Sequence, residues 1–246
     1  LKRAGDGIPF AERRINDPNF VFRLNLQPGA TTVYLRVVTS GSLRFRARIY
    51  SESGFFDARS RYLPFIWFIY GMMFLTAVFF LLLFLYIPDR VYLMFSLFIG
   101  SILLHQLSLR GFAYQYLWPN WPCWANASLP VFLNMAGVSS AHFLRATLET
   151  GKNNPRIDRL FSAFCWIVFP AAVAISIAAP FEYVMPASYY IFMAYGALVL
   201  GSIMYLFSRR NRFARYFLLG GVIVVFVNIL SSLDRKSTRL NSSHRT

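Results

Sequence analysis

The sequence predicts a mainly α membrane protein, a polytopic helix bundle preceded by part of a β-sandwich or jelly roll. Three observations predict it. Hydrophobic residues make up 57% of the 246 and aromatics 18%, above the composition of soluble domains. Between Leu63 and Leu233 the apolar residues gather into blocks of about twenty, each able to cross a hydrocarbon layer ~30 Å thick at ~1.5 Å per residue. Ahead of Leu63 the pattern changes to an alternation of period two, the mark of strands with one buried face.

The strands come first. Phe20, Phe22, Leu24 and Leu26 alternate with more polar neighbours, and Gln27-Pro28-Gly29 makes a turn. Val33, Leu35 and Val37 form a second run, and after Gly41-Ser42 the residues Leu43, Phe45, Ala47 and Ile49 form a third. Three strands are near the minimum for an independent sheet, so further strands are expected upstream. Arg44, Arg46 and Arg48 share the other face of the third strand. They read as a solvated strand face or, more sharply, as a site for lipid phosphates or an anionic ligand.

Six helices follow, at about Leu63 to Ile87, Val91 to Leu109, Trp124 to Leu144, Leu160 to Ala179, Tyr183 to Phe207 and Ala214 to Leu233. Pro88-Asp89-Arg90 and the stretch from Pro180 to Glu182 make tight turns. Odd-numbered loops carry nine basic residues (Arg90; Arg145, Lys152, Arg156, Arg159; Arg209, Arg210, Arg212, Arg215) and even-numbered loops only Arg110. The positive-inside rule then puts the odd loops in the cytoplasm and the β segment outside. The eleven basic residues of the β segment oppose this weakly, because segments of that length translocate largely regardless of charge. The net charge of +15 raises nucleic acid as a partner. Its spread over segment, loops and tail fits membrane orientation instead, so no nucleic-acid partner is expected.

The second loop, Arg110 to Cys123, is rich in aromatics, with Trp118 and Trp121 among them. An aromatic belt at the headgroups is one reading and a ligand platform the other. His105, Gln106, Asn134, His142 and Asn228 are the intramembrane polar residues most in need of partners, and interhelical hydrogen bonding serves them best. Gly196, Ala197 and Gly201 suit close helix packing. Cys123 and Cys165 are expected at different depths and therefore free. The sequence carries no Walker loop, dinucleotide-binding glycines, nucleophile elbow, zinc-protease helix or Cys/His metal spacing. No enzyme activity, cofactor or metal is expected of these residues.

Both ends look artificial. The chain starts without Met or a signal peptide. The tail from Asp234 to His244 matches the in-frame translation of a common sequencing adapter, so residues 234–246 are set aside, which leaves +12.

Gly5-Asp6-Gly7-Ile8-Pro9-Phe10, Asn19-Phe20-Val21-Phe22, Pro28-Gly29 and Tyr34-Leu35-Arg36-Val37 resemble an extracellular β domain of the bacterial seven-transmembrane receptors with diverse intracellular signalling modules. Asp89-Arg90-Val91-Tyr92-Leu93, Gln106-Leu107-Ser108-Leu109-Arg110-Gly111 and Tyr114-Gln115-Tyr116-Leu117-Trp118-Pro119 resemble the first half of that family's membrane domain. Arg156-Ile157-Asp158-Arg159-Leu160 and Ala214-Arg215-Tyr216-Phe217-Leu218 resemble its later loops. The resemblance spans nearly all of residues 5 to 233. It implies a partial jelly-roll sensor domain at 1–61 and a membrane domain at 62–233 holding six of seven helices. It also implies an inner-membrane location and a cytoplasmic output module in cis, such as a histidine kinase, cyclic-dinucleotide synthase or phosphatase, that is missing here. The expected partners are the lipid bilayer and an extracytoplasmic small molecule, with carbohydrate suggested by fold analogy alone, and a homodimer is left open. A transporter or membrane-embedded enzyme with an external β accessory domain is the alternative. The lack of intramembrane charge and of paired broken helices counts against it.

Overall fold

The computed structural model describes residues 5, 7–13, 15–24, 29, 31–38 and 47–208. Arg44, Arg46, the sixth apolar block and the 234–246 tail lie outside them.

Five helical spans cross the bundle. Helix α1 (Glu52–Tyr86) starts well before its apolar stretch, because Ser51 caps it by accepting from the Gly54 amide at 3.1 Å. Its 35 residues measure about 50 Å, more than a bilayer core needs, so its first polar turns stand clear of the hydrocarbon. Helix α2 (Arg90–Leu109) follows a tight turn in which Asp89 accepts from the Val91 amide at 2.9 Å. A short α3 (Phe112–Tyr116) lies in the second loop. Helix α4 (Pro122–Thr147) opens with proline at its first position, where a missing N–H is tolerated. A one-turn α5 (Thr150–Asn153) leads to α6 (Pro155–Ala163), capped by Asn154. The fourth span continues through a π-helical turn (Phe164–Val168) into α7 (Phe169–Ala178), and α8 (Phe181–Ser208) closes the described bundle.

Helix α4 is the hub. Of its most apolar stretch, 56% is buried within the bundle, against 6% for α1. It packs on α2, α7 and α8, while α1 leans mainly on α2. Small residues let the neighbours approach: Ala136, Gly137, Ser140 and Ala141 are all buried on α4. One core gathers around Tyr195, with Phe161, Cys165 and Phe169 fully buried beside it. A second joins Ile66 and Tyr70 of α1 to Leu103 and Phe112.

The described parts of the three predicted strands (20–24, 31–38 and 47–49) are extended but make no ladder among the described residues. Tyr34 and Val38 in the second of them are 91% and 81% exposed. Helix α1 runs unbroken across the expected 61/62 boundary. Gly196 and Gly201 face open space among the described residues, whereas Gly137 sits directly against the Phe169 ring.

A Cβ at Gly137 would overlap that ring, and Phe169 is fully buried with no room to yield. Gly137→Ala is therefore expected to destabilise the bundle by about 1–3 kcal/mol. Thermal unfolding of the detergent-solubilised protein measures this, and an unchanged midpoint would show that α4 and α7 are not locked at this point.

Candidate signal-transfer interface

The amino-terminal segment is seated on the membrane bundle, and local chemistry explains where. Helix α2 ends as Gly111 turns to φ +77°, a left-handed conformation suited to glycine. An added Cβ there would lie 3.0 Å from the Pro18 carbonyl oxygen, so the turn is also the contact point for residues 7–20. Immediately after it, Phe112, Ala113, Tyr114 and Gln115 of α3 are all buried.

Three hydrogen bonds fasten the segment to this second loop. The Phe10 amide donates to the Pro119 carbonyl at 2.8 Å, the Tyr114 hydroxyl to the Ile8 carbonyl at 2.6 Å, and Gln115 Nε2 to Asn16 Oδ1 at 2.6 Å. The rings of Phe10 and Tyr114 meet edge to face. Over them sits the Arg13 guanidinium, 4.7 Å from the Phe10 ring centre, 4.6 Å from that of Phe20 and 5.4 Å from that of Tyr114. Arg13 also donates to the Pro18 carbonyl at 3.2 Å.

A fourth tie runs to α1. Asp17 is buried, and its carboxylate pairs with Arg59 at 2.5 Å while accepting from both the Asn19 amide and side chain. The segment thus grips two elements that enter the membrane separately. From there contacts run inward: Trp67 and Tyr70 of α1 pack on Phe112, and the Tyr70 hydroxyl donates to the Gln106 carbonyl at 3.4 Å.

Of the predicted site residues, Arg48, Trp118 and Trp121 are described. Arg48 is exposed and donates to the Tyr50 hydroxyl at 3.3 Å, a bond that raises its pKa. Arg44 and Arg46 fall outside the described residues. Trp118 turns inward and stacks on Phe132, with centroids 6.0 Å apart, whereas Trp121 is 68% exposed. The two border a shallow depression lined by residues from Leu117 to Trp121. His105 Nδ1 lies 3.0 Å from the Leu129 carbonyl oxygen and His142 sits edge-on to Trp166. Among the described residues no three His, Cys, Asp or Glu side chains gather as metal ligands. Cys123 is exposed and Cys165 buried, and both are free.

Sequence reading missed the Asp17–Arg59 pair. Its partners are 42 positions apart and Arg59 reads as one more basic residue near a membrane. It also missed Gln115, which looks like any polar loop residue.

Long apolar crossings and an extramembrane segment docked on an inter-helix loop define a multi-pass membrane protein with an appended amino-terminal module. The family models agree with that division. The model described as 7TM diverse intracellular signalling matches residues 62–243, and the one described as 7TMR-DISM extracellular 2 matches 1–51. The chain belongs to this family of transmembrane sensory receptors. The first match runs into the tail read above as adapter sequence. No curated protein and no solved structure matches the chain significantly.

Gln115→Ala removes the partner of Asn16 and should loosen the seat of residues 7–20 by about 1 kcal/mol, or roughly fivefold faster amide hydrogen exchange in that segment. Exchange that stays at the wild-type rate would mean the seat is held without this bond.

Proposed function

We propose that the chain is the sensing and membrane part of a bacterial inner-membrane receptor. On this reading its amino-terminal segment lies outside, senses an extracytoplasmic small molecule, and passes that state through the bundle to a cytoplasmic output module in cis. The observation that carries the reading is the seat of residues 7–20 on both the second loop and the start of α1. A ligand that favours one posture of the outer segment would act on two helix entries at once, and a ligand shifts an equilibrium only through such differential contact. Carbohydrate is the ligand class that fits by fold analogy, with the Trp121 face beside Trp118 and the basic face of Arg44, Arg46 and Arg48 as candidate contacts.

The orientation rests on charge. The α1–α2 turn and the α4–α6 connection lie at the end of the bundle opposite the seated segment, and they hold Arg90, Arg145, Lys152, Arg156 and Arg159. Alkaline phosphatase fused after Trp121 is expected to be active, and a fluorescent protein fused after Asn154 to fluoresce. The reverse pattern would invert the topology and remove the outside sensor.

The function itself is tested on the full-length gene product. Reading the gene through codon 233 should reveal a seventh hydrophobic helix and a signalling module. In that protein, Asp17→Arg should shift basal output severalfold, because it breaks a partly buried charge-assisted bond worth about 1.5–3 kcal/mol, and adding Arg59→Asp should restore it. Further transport-type helices in place of a module, or basal output indifferent to the swap, would overturn the receptor reading.

A further inference from the structure

The α4–α6 connection sorts its charges into two sets. Arg145, near the end of α4, grips Asp158 with two parallel bonds, Nε to Oδ1 at 2.7 Å and an Nη to Oδ2 at 2.9 Å. The Thr150 hydroxyl, almost fully buried, adds a third at 2.7 Å. Glu149 pairs with Lys152 at 3.2 Å. Both acids of the connection are therefore committed to partners within it. What remains outward is Arg156 and Arg159, both exposed, and neither has an ion-pair partner among the described residues.

Their placement says what they meet. Asn154 caps α6 by accepting from the Arg156 and Ile157 amides at 3.0 and 3.3 Å, and the Asp158 clasp fixes the helix rotation. Arg156 and Arg159, three apart, then share one face. Leu160 on that side is 53% exposed, and further along the same span Trp166 and Ile167 are 67% and 66% exposed. Large apolar side chains outward on a membrane span face acyl chains. Seven residues separate Arg159 from Trp166, about 10 Å along the axis, so the arginines reach the level of the headgroups from a lipid-facing surface. Arginine suits phosphate there because its planar fork bonds two oxygens at once.

We infer that Arg156 and Arg159 form a binding site for the headgroup phosphate of an anionic phospholipid, held in register by the Arg145–Asp158–Thr150 clasp. The apolar continuation of the face selects a lipid over a soluble anion, because only a lipid fills both ends of it.

Native mass spectrometry of the protein released from bilayers of phosphatidylcholine mixed with phosphatidylglycerol tests this. The wild-type chain should retain phosphatidylglycerol in preference to phosphatidylcholine, and excess inorganic phosphate should not displace it. Arg156→Gln with Arg159→Gln should reduce retention on the order of tenfold or more, with thermal unfolding in pure phosphatidylcholine unchanged. The double lysine variant, which keeps the charge but not the fork, should fall between. Displacement by phosphate would make this a free-anion site, and no headgroup preference or full retention in the double glutamine variant would abolish it.

Discussion

A polar group inside hydrocarbon has no water to turn to, and α4 meets that constraint for much of the bundle. Near its amino-terminal end Ser128 donates to Ser108 at 3.2 Å, and the Leu129 carbonyl meets His105, both partners lying on α2. At mid-helix Asn134, fully buried, donates to Ser188 of α8 at 2.9 Å and reaches Ser176 of α7 at 3.4 Å. A turn and a half further on, Ser140 bonds the Tyr195 hydroxyl at 3.2 Å. Each bond replaces hydration lost on insertion, and each fixes a partner at one height. Other serines and threonines, such as Thr76, Ser139 and Ser202, satisfy themselves on the carbonyl four residues back and tie nothing together.

Because of this arrangement α4 is continuous with everything that could carry a signal. It begins at the loop that seats the amino-terminal segment and ends at the Arg145–Asp158 clasp. Between those ends it contacts α2, α7 and α8 through small residues and short polar bonds as well as larger side chains such as Leu144 and Phe143. Interfaces built that way have few intermediate positions: a Ser–Asn bond at 2.9 Å is made or broken, and Gly137 against Phe169 leaves no slack. Contiguity is not coupling, but a buried central helix with contacts along its length is the architecture through which a small displacement at one end can be felt at the other.

The first five spans were legible because hydropathy is a property of composition, and each of those apolar blocks lies within a described helix or close to its bounds. The charge pattern between blocks was legible for the same reason. What composition cannot show is a contact between distant positions. Asp17 with Arg59, and Gln115 with Asn16, join residues whose neighbours give no hint of partnership. Asn134 was recognisable as a group in need of a bond, yet its partners Ser176 and Ser188 are among many serines in the spans. The β segment shows the other side of this. Its alternation is plain in the sequence, while the described backbone stays extended and unpaired, since alternation specifies a face and not the sheet that must cover it.

The π-helical turn shows why even a correct helix assignment can misplace side chains. Pro170 has no N–H to continue the α-helical ladder, and just before it the chain widens, with the Phe169 amide donating to the Phe164 carbonyl five residues back. On a regular helix residues five apart diverge by about 140°, so a reading at 3.6 residues per turn sends Phe164 and Phe169 to different neighbours. In the wide turn their rings lie 5.6 Å apart, and both reach Tyr195, at 5.4 and 5.2 Å. Phe161 joins them at 6.1 Å. The proline's missing hydrogen bond is thereby converted into the aromatic core that holds the fourth span to α8, and it brings the Phe169 ring against Gly137 on α4. A residue that reads in the sequence as an interruption of the span therefore sets the packing of three helices.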